Sequence, residues 1–155
     1  MTAEPTIPTL EAAFDVTVEL GELADHGETR AGHRRVIPIV GGAIRGGLEA
    51  ELLPGGADWQ VVRPDGAIEI DGRYTARTPD GELVYLQVTG VRTAHPDILD
   101  ALLRGEPVPP EDYYFRTAIR FETGSPRLKH LEHALYVASC VRDANAVRYR
   151  AYRVT

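Results

Sequence analysis

Acids, arginines and histidines recur in this chain at the two-residue spacing of extended strands, which sets whole rows of polar groups on one side. Between Ile68 and Arg77, Ile68, Ile70, Tyr74 and Ala76 share one face, while Glu69, Asp71, Arg73, Thr75 and Arg77 share the other. The run from Tyr114 to Thr123 divides the same way, with Phe115, Ile119 and Phe121 opposed to Tyr114, Arg116, Arg120 and Glu122. Two arrangements produce such rows. They are the wet outer surface of a sheet over an apolar core, or the polar lining of a barrel that orients a small ligand. In the second arrangement a carboxylate in a partly dry interior holds its proton more tightly, which suits a general base near neutral pH. An arginine beside it grips a carboxylate or enolate oxygen through its forked donors. Asp58-Trp59 offers a further acid next to an aromatic wall, or else an aspartate bonding turn amides while Trp59 fills the core.

His130, Glu132 and His133 crowd together. His130 and Glu132 share a side on a strand and diverge on a helix. The cluster lacks the spacing of metalloprotease or deaminase ligands, so no metal is expected. Gly41–Gly47 is rich in glycine but lacks the Lys-Ser/Thr ending and following helix of a phosphate loop. The only serines, Ser125 and Ser139, sit in no nucleophile elbow. No cofactor motif is present, and none is expected. The single Cys140, within Val137-Ala138-Ser139-Cys140-Val141, reads as a small core residue and excludes an internal disulfide framework.

The elements that must position these groups are mostly strands. Phe14, Val16, Val18 and Leu20 alternate with polar residues; further extended runs are Arg35–Val40, Leu48–Leu52, Trp59–Arg63, Ala67–Thr78, Glu82–Val91, Tyr113–Thr123, Leu135–Arg142 and Val147–Val154. Residues 27 to 32 read as a polar turn region. Pro38 cannot donate to a ladder, so it belongs at an edge or bulge. Pro54-Gly55-Gly56, Pro64-Asp65-Gly66 and Pro79-Asp80-Gly81 mark turns. One helix is expected over Pro96–Gly105, packed on the sheet as a lid or plug, with a shorter helical turn over Pro126–His133. Eight to nine closely spaced strands predict a mainly β fold: a single antiparallel barrel, closed or nearly so, with one short helix. Residues 1–9 read as a flexible leader and residues 10–155 as the domain.

At 155 residues the chain can bury one real core. A net charge of −6 disfavours nucleic acid and anionic membrane as partners. With neither a signal-like opening nor a long apolar run, a cytoplasmic location is expected.

From Gly32 to Val154 the chain resembles a bacterial and fungal family catalogued as domain of unknown function 3237. The resemblance rests on Gly32-His33-Arg34-Arg35-Val36-Ile37-Pro38-Ile39-Val40-Gly41-Gly42, Leu53-Pro54-Gly55-Gly56-Ala57-Asp58-Trp59 and Ile70-Asp71-Gly72-Arg73-Tyr74. Asp80-Gly81, Tyr114-Phe115-Arg116, Phe121-Glu122-Thr123 and Val147-Arg148-Tyr149-Arg150-Ala151-Tyr152 follow in order. It implies a β-barrel that commonly forms oligomers, and it favours the ligand-lining arrangement, since Asp71, Arg73, Arg116 and Glu122 fall in its motifs. Where the family pattern usually has Trp-Leu-Asn, this chain has His130-Leu131-Glu132.

These observations lead to a small-molecule-binding barrel, first of all a cofactor-free acid–base enzyme: an isomerase, cyclase or lyase acting on a carbonyl compound. Asp58, Asp71, Glu122, His130 and Glu132 are the candidates for proton transfer. Arg34, Arg73 and Arg116 would hold oxyanions, with Trp59 and Tyr114 as walls. A non-catalytic ligand-binding barrel and an assembly subunit are the alternatives.

Overall fold

A computed structural model describes every residue from Met1 to Thr155. Ten strands form, nine of them on the extended runs of the sequence: β1 Leu10–Leu20, β2 Ala24–Thr29, β3 Gly32–Arg45, β4 Ala50–Leu52, β5 Ala57–Val62, β6 Ile68–Arg77, β7 Leu83–Thr93, β8 Tyr114–Thr123, β9 Leu135–Arg142 and β10 Ala146–Val154. All pair antiparallel, and β6 through β10 run as an up-and-down meander. Strand β1 closes the ring by pairing with β10 on one side and β3 on the other. Eight strands make the barrel, with two outside that ring.

The long β3 makes this closure possible. Its first half lies between β2 and β5, and its second half between β1 and β4. The register slips between Glu19 and Leu20, so Val40 bulges out beside Pro38, where proline's missing donor is tolerated. Gly42 lies where the two strands press together. Its φ is +138°, and a Cβ there would meet the Thr17 carbonyl oxygen at 2.1 Å, so no other residue fits.

Strand β2 is a departure from expectation. Ala24–Thr29 is a strand, and the turn is only Arg30-Ala31. Both its faces are largely exposed, so it lacks the one-sided apolar row by which a strand is recognised.

The two ends of the barrel are stoppered differently. Helix α1, Pro96–Leu103, follows β7 and covers the end where β7 stops and β8 starts. Proline opens it, the His95 imidazole accepts the Asp97 N–H at 3.2 Å, and Leu102 is driven into the core. The other end is closed by a 3₁₀ segment, Pro126–His133, through Leu128 and Leu131. Beneath that segment the interior is solid: Phe121 meets Phe14 and Tyr136 edge-on, with ring centroids 5.7 and 5.0 Å apart.

Candidate functional site

The α1 end of the interior is built differently. Inward positions there break the apolar rows: Asp58 and Gln60 on β5, Tyr74 on β6, Arg92 on β7, Thr117 on β8, Cys140 and Arg142 on β9, and Tyr149 on β10. With Val18, Ile37, Ile39, Ile70, Val88 and Phe115 they surround a cavity of about 50 Å³, room for a few water-sized groups. Gly72 also faces it and leaves part of the space by having no side chain.

Asp58 and Arg92 are the charged groups that matter most. The Asp58 carboxylate accepts the Gln60 Nε2–H at 2.9 Å on one oxygen and the Asp71 backbone N–H at 2.9 Å on the other. Burial raises its pKa, and these two hydrogen bonds together with the charge of Arg92 only partly offset that. Arg92 is only 5% exposed. Its guanidinium stacks on the Phe115 ring at 5.1 Å, yet its Nε and Nη1 meet no acceptor. Burial brings its pKa down to about 10, helped by the like charge of Arg142. Asp58 is close enough for its charge to be felt by Arg92, but the two form no ion pair. Arg142 is better supplied, because its Nη1 donates to the carbonyls of Asp143, Ala144 and Ala146 in the β9–β10 turn.

The remaining polar groups satisfy one another. The Tyr74 and Tyr149 hydroxyls are hydrogen-bonded together, and burial raises both pKa values. Cys140 lies 3.6 Å from the Thr117 hydroxyl, and burial pushes its thiol up to about 11. It is the inert core residue the sequence suggests.

The barrel wall is opened locally beside Asp58. Strands β5 and β6 pair at Ala57↔Arg73, Asp58↔Gly72, Val61↔Glu69 and Val62↔Ile68, with a gap between. In an unbroken ladder the Asp71 N–H would reach the Trp59 carbonyl. It turns to the Asp58 side chain, and the Trp59 carbonyl receives Arg34 Nη1 at 3.0 Å from outside. A carboxylate and a guanidinium thus replace ladder bonds in the wall.

Of the candidates for proton transfer, oxyanion binding and pocket walls, Asp58 alone reaches the cavity. The expectation that Asp71, Arg73, Arg116 and Glu122 converge in a lumen is corrected by the structure. Their faces of β6 and β8 are exterior, because the opposite rows carry the bulky apolar groups that fill the barrel. Asp71 pairs with Arg73 at 3.3 Å on that surface, and Arg116 lies over the Tyr114 ring at 5.4 Å. Trp59, rather than filling the core or walling the cavity, faces an outer groove with Arg34, Asp71 and Arg73. His130 and Glu132 are on the 3₁₀ segment at the far end, where Glu132 accepts Lys129 Nζ at 3.0 Å and the Thr123 N–H at 3.2 Å. No three His, Cys, Asp or Glu side chains gather as a metal would require. No helix is long and apolar enough to cross a membrane.

Arg92 and Gln60 were missed by sequence reasoning, although the signal was there. Val84, Leu86, Val88, Gly90 and Arg92 are one inward row, and β7 runs past the expected Glu82–Val91 stretch to Thr93, which takes in Arg92.

The barrel fold is shared with solved structures. The sequence profile described as "Protein of unknown function (DUF3237)" matches residues 8–154. The chain belongs to that family. It is 42% identical to a UPF0311 protein of Rhodopseudomonas palustris, over 95% of this chain and 98% of the relative. It is 35% identical to a UPF0311 protein of Clostridium acetobutylicum, over 94% and 93%. The crystal structure of the R. palustris protein superposes with a TM-score of 0.91 at 39% identity, covering 99% of this chain and all of that one. An Acinetobacter baumannii structure described as "beta-barrel like" gives 0.86 at 38% identity, covering 99% and 100%. An enzyme from Penicillium herquei shares the fold at 17% identity, with a TM-score of 0.73 over the full length of both chains.

Proposed function

We propose that this DUF3237 barrel binds a small carbonyl compound at its polar end and moves a proton on it without a cofactor, as an isomerase, cyclase or lyase does. The observation that carries the reading is Asp58: a carboxylate at the cavity wall whose proton affinity is raised by burial and whose two oxygens are fixed by Gln60 and the Asp71 amide. Such a group is oriented and poised to take a proton from a carbon next to a carbonyl. The pair of electrons left behind moves to the carbonyl oxygen, where the buried positive charge of Arg92 offsets the new negative charge. Apolar walls keep bulk water from competing. The P. herquei enzyme shares the fold; the chemistry proposed for this chain rests with Asp58 and Arg92.

Hydrogen–deuterium exchange in D2O tests it with 2-oxobutanoate, levulinate and ethyl acetoacetate as probes, followed by proton NMR. Exchange next to the carbonyl should exceed the buffer rate for at least one probe, and Asp58→Asn should reduce it by about a hundredfold or more. A probe that binds and never exchanges would point instead to a carrier or sensor, the role the same cavity supports when no proton moves.

A further inference from the structure

The unpartnered donors of Arg92 say something about the ligand itself. We infer that the cavity takes an apolar monocarboxylate, with its carboxylate on the Arg92 guanidinium and its hydrocarbon body among Ile37, Ile39, Ile70 and Val88. This rests on the reading of the lumen as the ligand site, but not on any proton being moved there.

Arg92 is a buried cation with open Nε and Nη1 donors and no ion pair. Arg142, its cationic neighbour, is occupied by turn carbonyls and adds positive charge without offering relief. The one acid in the cavity, Asp58, has its proton affinity raised and is engaged elsewhere. The polar end therefore has an excess of positive charge, with a planar fork as its unfilled hydrogen-bonding group. A carboxylate matches that fork in shape and supplies one charge. A phosphate would bring a second charge into walls that are largely aliphatic, where it would go unpaired. Neutral amides match the shape but not the charge.

The test titrates the full chain calorimetrically with butyrate and hexanoate, against hexanamide and inorganic phosphate. Butyrate should bind, and hexanoate should gain by up to about fourfold for each added methylene that the cavity of about 50 Å³ can bury. Hexanamide should be at least tenfold weaker than hexanoate, and phosphate should not compete. Arg92→Met should weaken hexanoate at least tenfold, while Arg120→Ala, on the outer face of β8, changes nothing. Methionine removes an unpaired buried charge, so folding should survive; if it does not, Arg92→Lys keeps the charge, loses the fork and should still weaken hexanoate. Equal affinity for acid and amide, indifference to Arg92→Met, or displacement by phosphate would each overturn the inference. Arg92-dependent binding without any deuterium exchange would leave it standing and remove the proton-transfer reading.

Discussion

At the scale of single residues, the α1 end of the barrel spends stability on readiness. A carboxylate whose folded-state pKa is raised binds its proton more tightly folded than unfolded. The fold is therefore favoured at low pH and loses that advantage as pH climbs from the ordinary aspartate value of 3.8 through the folded one. Asp58→Asn, which cannot ionise, should escape this loss. Thermal melts in a pH series should show the variant gaining on the wild type with rising pH and levelling off once Asp58 is ionised. A gap independent of pH would mean that Asp58 titrates as it does in the unfolded chain. The residue scale is also where sequence reading succeeded least. Asp71, Arg73, Arg116 and Glu122 drew attention because charged side chains stand out in a row. The interior polar groups, Gln60, Arg92 and Arg142, are isolated exceptions within apolar rows, and an exception is visible only once the direction of the row is known.

The elements themselves were far more legible. The alternation in β6 and β8 identified the two faces correctly, Pro79-Asp80-Gly81 makes the β6–β7 turn, and Pro96 begins the one α-helix. What alternation cannot supply is which face lies inside, since a barrel has a dry side and a wet side just as a sheet does. Helix α1 lies at the polar end and is pinned by Leu102, which is 2% exposed. Removing that anchor in Leu102→Ala should cost about 2–4 kcal/mol by urea denaturation, from lost burial and the space left behind. Amide exchange in α1 should speed up more than in β7, showing that the cap loosens before the wall.

Across the whole molecule, one closed wall serves two interiors: aromatic and solid toward the 3₁₀ segment, polar and hollow toward α1. This division makes the hollow end testable without touching its chemistry. A Cβ at Gly72 would meet Tyr74 Cε1 at 3.5 Å and Val88 O at 3.6 Å, ordinary contacts, so Gly72→Ala fits and takes space from the cavity. The variant should fold at least as well as the wild type and bind hexanoate several-fold more weakly, measured by the same titration. Unchanged affinity would place the ligand elsewhere. The meeting of β1 with β10 has a consequence for how the chain is made. The Thr9 N–H donates to the Thr155 carbonyl at 3.2 Å and the Thr155 N–H to the Thr9 carbonyl at 2.9 Å, so β1, already paired with β3 on one side, gains its second partner only in β10. On the ribosome there is no ring and no enclosed space until β10 emerges, so Asp58 and Arg92 acquire their surroundings only after β10 has been made. The same adjacency means that Thr155 can be joined to Thr9 through an added two-residue turn and the chain reopened at the Asp80-Gly81 turn, giving a permuted sequence in which the order of birth changes and the barrel does not.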